Sequence, residues 1–295
     1  MKKILIITLL SGAVFSTHAQ QLQTSAFYDL QGVIANPSLA GVGDPFIGAN
    51  YRLQWNNING GPKTATVSGS FDLPKQKLGL GGYVYNDQTG PTSRTGISIS
   101  VAKHIQFSDK STLSLGIENR LEQYMLDQTK LTEYLGSDPA IANGNKSIQY
   151  DAGFGISFTN QHLQLGVSAT QLLQTRIDNY AGNLTRSQEA HLYRHYYANG
   201  SYKIDNIDDM VTLIPNFQVI YFPNAPTEVN IGARVKYGEI AWLGLGSSFT
   251  GNVNFSFGFN VMKNVRLDYA FDLYNNPSDL NVNAHEFMLR YYFKK

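Results

Sequence analysis

Hydrophobic and polar residues alternate with a period of two along most of the chain. In residues 46–55, apolar side chains occupy every second position from Ile47 to Trp55, and glycine or polar residues lie between them. Successive side chains of a β-strand point to opposite faces, so this pattern predicts a strand. The same pattern, clear or weaker, predicts fourteen strands, near residues 46–55, 63–72, 77–86, 94–104, 111–122, 148–158, 161–170, 191–202, 210–221, 227–236, 239–249, 253–261, 264–274 and 284–293.

One face of these strands is apolar, and the opposite, polar face carries many charged residues. Outer-membrane barrels turn apolar side chains to lipid and polar ones to a wet lumen, and their strands need about ten residues. We therefore predict an all-β fold, a transmembrane antiparallel β-barrel of the bacterial outer membrane with about 14 strands, over residues 46–295. The charged residues predicted to face the lumen are Arg52, Arg94, Glu118, Arg120, Glu122, Asp151, Glu228, Arg234, Lys236, Arg266, Asp268, Asp272, Glu286 and Arg290.

A soluble alternative is a secreted β-sandwich or a lipocalin-like barrel. The chain is long enough to need two such domains, and no linker or change of composition marks a boundary between them. The charged faces also favour a lumen over a buried core. Acids and bases are balanced among these residues, which favours an interior cross-linked by ion pairs over an ion-selective channel.

The connections between the predicted strands are longest on one side of the barrel. Outer-membrane barrels have long extracellular loops and short periplasmic turns, and an even strand count puts both chain termini in the periplasm. The long loop 123–147 mixes apolar and aromatic residues with few charges, so Tyr124, Tyr134 and Leu135 are candidate contacts for a partner. The alternative is that this loop folds into the barrel mouth. The predicted extracellular loops are 56–63, 86–93, 123–147, 171–190 and 275–283.

The N-terminus has the pattern of a secretory signal peptide. Lys2 and Lys3 precede an apolar run over residues 4–15, which is too short to span a bilayer as a helix. A small-x-small site ends at Ala19, so residues 1–19 are predicted to be cleaved. Residues 20–45 do not alternate and form a lead-in segment, either a periplasmic turn or plug before the first strand, or a binding segment.

Composition excludes several function classes. The 295 residues include 23 Lys and Arg against 22 Asp and Glu, and the formal net charge of +1 argues against nucleic acid as a partner. Without cysteine there is no disulfide scaffold, iron–sulfur cluster or thiol nucleophile. We predict no cofactor and no metal, since His191 and His195 lie four apart on a predicted strand.

Catalysis is not expected either. An outer-membrane hydrolase needs a serine and a histidine within hydrogen-bond reach, and the sequence shows no nucleophile elbow. His104 and His162 fall at predicted short turns on the periplasmic side. We therefore predict no catalytic residue and treat a hydrolase as the third hypothesis, behind a diffusion channel.

Three motifs carry a resemblance to a known family. They are Asn36-Pro37-Ser38-Leu39-Ala40-Gly41, then Tyr51-Arg52-Leu53-Gln54-Trp55, and then Gly81-Gly82-Tyr83-Val84-Tyr85-Asn86-Asp87-Gln88-Thr89-Gly90-Pro91. In this order after a signal peptide, the chain resembles the type IX secretion system membrane protein family PorP/SprF. The resemblance implies an integral outer-membrane barrel that works with type IX secretion or gliding-motility components, or that retains a secreted surface protein through its C-terminal domain.

The resemblance also supplies candidate site residues. Residues 86–91 form a predicted turn-rich loop, which is either turn chemistry alone or a contact surface or lumen constriction. A passive or substrate-specific diffusion channel remains the alternative function. The candidate partner-binding or family-motif residues are Asn36, Pro37, Ala40, Gly41, Arg52, Gln54, Trp55, Tyr85, Asn86, Asp87, Thr89, Gly90 and Pro91.

Overall fold

In the part of the chain that the structure describes, the wall of one closed antiparallel barrel has fourteen strand positions. The structure is a computed structural model that describes residues 25–135, 146–177, 190–208, 210–223, 225–249, 251–274 and 282–293. The strands are β1 (Phe46–Gln54), β2 (Lys63–Leu73), β3 (Leu78–Thr89), β4 (Thr92–Ser108), β5 (Ser111–Leu126), β6 (Lys146–Asn160), β7 (Leu163–Thr170), β8 (Arg176–Ile177), β9 (Ala190–His191), β10 (His195–Tyr202), β11 (Ile204–Asp208), β12 (Val211–Tyr221), β13 (Glu228–Tyr237), β14 (Ala241–Ser248), β15 (Asn252–Met262), β16 (Val265–Tyr274) and β17 (Asn283–Tyr292).

Each strand of the barrel pairs antiparallel with the next strand of the wall, and the first strand pairs with the last. Phe46 lies opposite Tyr292 across β1 and β17, so the barrel wall begins and ends at the same rim. β10 and β11 follow one another along β12 as a single wall, and β8 pairs with β9 in a separate two-stranded hairpin. Closure leaves no free sheet edge, as a membrane-spanning sheet requires. The predicted antiparallel barrel of fourteen strands is confirmed.

Helical structure is confined to short segments. They are α1 (Gly32–Ala35), α2 (Gln128–Leu135) and two 3₁₀ turns, Pro37–Leu39 and Pro74–Gln76. Among the described residues, no helix is long and apolar enough to cross a membrane.

The two faces of the wall differ in polarity as the alternation predicts. On β2, the hydroxyl side chains from Thr64 to Ser70 are buried on the lumen side, and Val67 is exposed on the outer side. Tyr51, Tyr150, Tyr221 and Phe293 are exposed near strand ends, as aromatic girdles require. The apolar face therefore points outward to lipid.

The connections divide the barrel into two ends. At one end, here called the turn end, the longest connection is 74–77, which joins β2 to β3. At the opposite loop end, the connections 127–145 and 171–194 are far longer. The predicted asymmetry is confirmed, although residues 136–145, 178–189 and 275–281 of these connections and of the predicted loop 275–283 lie outside the described residues.

The prediction of a loop over residues 86–93 is wrong. β3 continues through Thr89, which pairs with Thr92 at the start of β4, and Gly90 takes the left-handed φ of 54° in a two-residue turn. Asn and Asp favour turns in isolation, but Asn86 donates from Nδ2 to Thr95 Oγ1 at 2.8 Å across the strand pair. Pairing with a neighbouring strand overrides the local propensity.

The membrane depth of β5 can be tested with charged substitutions. Ile117 is exposed on the outer face near the middle of this strand, so Ile117→Arg should cost about 2–4 kcal/mol of folding stability in bilayers. Gln123→Arg, close to the loop end, should cost about 0–1 kcal/mol. Equilibrium unfolding in lipid vesicles measures both, and equal losses would contradict the depth assignment.

Leu115 and Ser114 point to opposite faces of β5, but Ser114 is not a suitable lumen position for a charged substitution. Ser114 is completely buried, and its Oγ lies 2.8 Å from His104 Nδ1, so an arginine at position 114 has no wet space. The packed interior around Ser114 therefore leaves no room for a charged side chain at this lumen-side position.

Candidate functional site

The segment before β1 lies inside the barrel and is called the plug here (residues 25–45). Its helix α1 packs against β3, and its 3₁₀ turn packs against β3 to β7. Phe27 is fully buried against Trp242 of β14, with ring centroids 6.2 Å apart and nearly perpendicular planes. Edge-to-face contact of two buried aromatic rings stabilises this end of the plug. The lead-in segment is therefore a lumen plug in its described part.

Glu286 on β17 holds the beginning of the plug. Its carboxylate accepts hydrogen bonds from Ser25 Oγ at 2.5 Å and from the Ala26 backbone N–H at 2.8 Å. It also accepts from Asn50 Nδ2 at 2.6 Å and pairs with Arg52 Nη1 at 2.8 Å. Because the glutamate is completely buried, these partners compensate a charge that water does not reach.

Two further polar contacts hold the next residues. Asp29 Oδ1 pairs with Arg234 Nη2 at 2.6 Å, and the same guanidinium lies 4.0 Å from the ring centre of Trp242. Tyr28 donates its hydroxyl proton to Asn216 Oδ1 at 2.5 Å. Burial raises the pKa of Tyr28, so the phenol keeps this proton. The plug is thereby tied to β12 and β13 as well as β17.

Asn36 fixes the turn in the middle of the plug. Its Oδ1 accepts from Ser38 N at 3.0 Å and from Ser38 Oγ at 2.7 Å, and Pro37 takes the first position of the 3₁₀ turn. Its Nδ2 donates to the carbonyl oxygens of Ile156 and Val167, both at 3.4 Å. The first family motif therefore folds the plug and attaches it to β6 and β7.

Glycines on the inner wall make room for this turn. A Cβ at Gly116 would lie 2.3 Å from the Pro37 carbonyl carbon, and one at Gly155 would lie 2.0 Å from Asn36 Oδ1. At Gly79 it would lie 1.9 Å from the Ala40 carbonyl oxygen. The plug backbone thus approaches the wall as closely as the absence of a side chain allows.

The end of the plug turns towards β1. Ala40 is completely buried, and Gly41 adopts a φ of 76°, which residues other than glycine rarely adopt. The Gly41 N–H donates to Ser70 Oγ at 2.8 Å. Both motif residues therefore have a structural role where the chain leaves the lumen.

Ion pairs cross-link the lumen wall, as the balanced charges predict. Arg52 Nη2 lies 2.5 Å from Asp272 Oδ2, so one guanidinium joins β1 to both β16 and β17. The other wall pairs are Arg94 with Glu122 at 2.7 Å, Arg120 with Glu118 at 2.9 Å, and Arg290 with Asp268 at 2.7 Å.

Two tyrosines of the third motif join this network. Tyr83 donates to Glu118 Oε1 at 2.8 Å, and Tyr85 donates to Glu122 Oε2. Asp87 Oδ1 accepts from Thr64 Oγ1 at 2.5 Å. These residues line the lumen near the loop end, whereas Asn86 points outward.

The remaining motif residues lie at the loop end. Gln54 Nε2 donates to Tyr274 Oη at 3.3 Å, and Trp55 opens the connection after β1 with a left-handed φ of 51°. The Gly90 N–H donates to the Gly60 carbonyl, which joins two adjacent connections. The Thr89 carbonyl accepts from Thr92 Oγ1, and the Pro91 carbonyl accepts from the Asp127 N–H.

The candidate loop contacts are only partly where the sequence places them. Tyr124 lies in β5, with its ring centre 5.8 Å from Arg94 Cζ, and is not a loop residue. The strand is longer than predicted because β4 and β5 stay paired up to Thr92 and Leu126. Tyr134 and Leu135 end α2, and their side chains lie outside the described part of the structure.

A serine and a histidine do meet, contrary to the sequence expectation. His104 lies within β4 rather than at a turn, and it pairs across the sheet with Ser114 of β5. The register between β4 and β5 brings them together, and alternation within a single strand does not specify that register. Ser114 is completely buried, so its hydroxyl is not accessible to a substrate in this arrangement.

The plug contacts of Phe27, Tyr28 and Asp29 could not be predicted from the sequence, because residues 20–45 lack periodicity. Their partners Trp242 and Arg234 lie more than 200 positions away in the chain. The lumen charges were predictable from alternation, but their pairing needs the register of the whole barrel.

Solved structures with a similar fold are outer-membrane proteins. The monoaromatic hydrocarbon channel CymD has a TM-score of 0.55 and 12% identity, over 90% of this chain and 93% of that chain. Omp33 of Acinetobacter baumannii has a TM-score of 0.51 and 8% identity, over 86% of this chain and 100% of that chain. At these identities the likeness shows the barrel fold alone.

No curated protein matches the sequence at a significant level. The model of the type IX secretion system membrane protein family PorP/SprF matches residues 16–291, nearly the whole chain, and includes the plug and every barrel strand but the last residue of β17. The chain therefore belongs to the PorP/SprF family of type IX secretion system membrane proteins.

Proposed function

We propose that the protein retains or helps to secrete a partner surface protein at the outer membrane, by contact with the C-terminal domain of that partner. The plugged lumen carries this proposal. A barrel whose interior is filled by its own chain and cross-linked by ion pairs is suited to holding a macromolecule. Family membership supports an association with type IX secretion.

The loop end supplies the contact surface in this proposal. Its two long connections, 127–145 and 171–194, extend the same end of the barrel, and α2 lies in the first of them. Long loops that do not take part in closing a barrel are commonly binding elements. Other type IX secretion or gliding components are further partners in this scheme.

The alternative is a diffusion channel. It requires a continuous aqueous path, and the plug crosses the lumen between β12 to β17 and β3 to β7. The geometry therefore favours the holding function over the channel.

Removal of the long loop tests the proposal. Deleting residues 128–144 should leave the barrel folded and inserted, because β5 ends before this range and β6 begins after it. A partner that co-purifies from native outer membrane should be lost or released into the medium. An inserted variant that keeps every partner would exclude this loop as the holding surface. If the intact protein has no partner and conducts ions steadily, the channel hypothesis replaces the proposal.

We propose in addition that the loop end faces outward and that both ends of the barrel wall face the periplasm. Epitope tags within 136–145 or 178–189 should be accessible on intact cells. Tags in the turns 74–76 or 161–162 should react after the outer membrane is permeabilised. The reverse pattern of surface labelling would invert this topology.

A further inference from the structure

The plug runs through the lumen from the loop end to the turn end. Along β17, which begins at the loop end, Ser25 contacts Glu286 near the start of the strand. Gln31 lies deeper on the same strand, with its Nε2 3.0 Å from Met288 Sδ. The plug ends at Pro45, directly before β1 begins at the turn end. The described chain therefore starts at the opposite end of the lumen from the beginning of the wall.

Ser25 lies at the edge of a cavity between the plug and the loop end, here called the loop-end cavity. The plug also contributes Gln31 and Ile34 to the lining, and strands of the wall supply the rest, among them Arg52, Gln171 and Gln218. On the turn-end side of these plug residues, Asn36 and Ser38 are completely buried. The chain that precedes Ser25 is therefore continuous with the loop-end cavity, whereas the packed plug fills the way to the turn end.

The length of chain before Ser25 agrees with this direction. Removal of the predicted signal peptide, residues 1–19, leaves five residues before Ser25. An extended segment of this length spans at most about 17 Å. From Glu286 to Tyr292, at the turn-end terminus of β17, the distance along the strand is about 20 Å. The segment is therefore too short to return along β17 to the point where the wall begins and ends.

The lining of the loop-end cavity calls for an occupant that both donates and accepts hydrogen bonds. Two buried atoms of the lining residues have no hydrogen-bond partner among the described residues, the acceptor Gln171 Oε1 and the donor Arg52 Nε. Leaving such groups unpaired is costly. Peptide groups and glutamine amides supply donors and acceptors together. The segment Gln20-Gln21-Leu22-Gln23-Thr24 has three glutamines and no charged side chain.

We propose that the loop-end cavity is the docking site of the chain's own N-terminal segment, residues 20–24. The mature N-terminus then lies at the loop end, opposite to the C-terminus. An even number of strands brings the two ends of the wall together, but it does not place the chain before the wall. This inference goes beyond the proposed function, because it assigns a contact within the chain, and its tests need no partner protein.

A disulfide between introduced cysteines tests the location. Since the chain has no cysteine, Leu22→Cys can be combined with Gln218→Cys in the loop-end cavity, or with Thr112→Cys in a pocket at the turn end. Mild oxidation of the folded barrel should join the first pair and leave the second pair reduced, as mass spectrometry of proteolytic peptides will show. A cross-link to position 112, or to neither position, would overturn the proposal.

Removal of the segment tests whether it occupies the cavity. Deleting residues 20–24 in a Gln218→Cys background should raise the rate of modification by a small neutral methanethiosulfonate reagent several-fold. The deletion ends before Ser25, so the contact of the plug with Glu286 is kept. The matched control is Asn59→Cys in an exposed connection at the loop end, which should react equally fast with and without the segment. An unchanged rate at position 218 would show that the segment does not fill the cavity.

Discussion

Deleting residues 25–43 should convert the protein into an ion-conducting pore. The plug contacts β12 to β17 at one end and β3 to β7 at the other, so its loss opens the lumen along its whole length. Single-channel recording in a planar bilayer should show steady currents for the deletion variant and far smaller or no currents for the intact protein.

A point variant separates plug displacement from damage to the wall. Gly155→Leu should also raise conductance, because its side chain would occupy the position of Asn36 Oδ1. Gly90→Ala is the control, since no atom lies within 4 Å of a Cβ there, although its left-handed φ carries a small backbone cost. Equal low conductance of the deletion variant and the intact protein would show that the plug does not close the lumen.

Glu286→Ala should be among the most destabilising single substitutions. It leaves the buried Arg52 with one carboxylate fewer and removes the acceptor of Ser25, Ala26 and Asn50. Removing one partner of a buried ion pair costs about 3–5 kcal/mol. Equilibrium unfolding by urea in detergent or vesicles measures this loss of folding free energy.

The matched control is Glu133→Ala, because Glu133 is exposed on α2. It should change stability by less than about 0.5 kcal/mol. A double-mutant cycle of Glu286→Ala with Ser25→Ala should show coupling between the wall and the plug. Additive effects would mean that the hydrogen bond between them contributes nothing to stability.

The barrel could be predicted from the sequence because the alternation of polar and apolar side chains is a local property of each strand. Alternation of side chains fixes which face meets lipid, and the strands were located within a few residues except where turn propensity misled. At residues 86–91, Asn86, Asp87 and Gly90 all favour turns, yet just Gly90 and Pro91 lie between the strands. Cross-strand bonds such as that of Asn86 with Thr95 extend the ladder.

The site was less predictable because it depends on contacts distant in sequence. Asn36 and Arg52 were named from motifs as candidate partner contacts, but their side chains bind the protein's own wall. The pairing of Arg52 with Asp272 and Glu286 joins the first strand to the last two. Nothing in the local pattern of residues 46–55 specifies those partners.

The bond between Ser25 and Glu286 joins residues 261 positions apart. Because Glu286 lies on β17, this bond requires the strand that closes the barrel against β1, so the start of the plug is tied to the closing seam of the wall. A chain truncated before β17 lacks both. The single carboxylate of Glu286 thus couples the first residues of the plug to the strand pair that closes the wall.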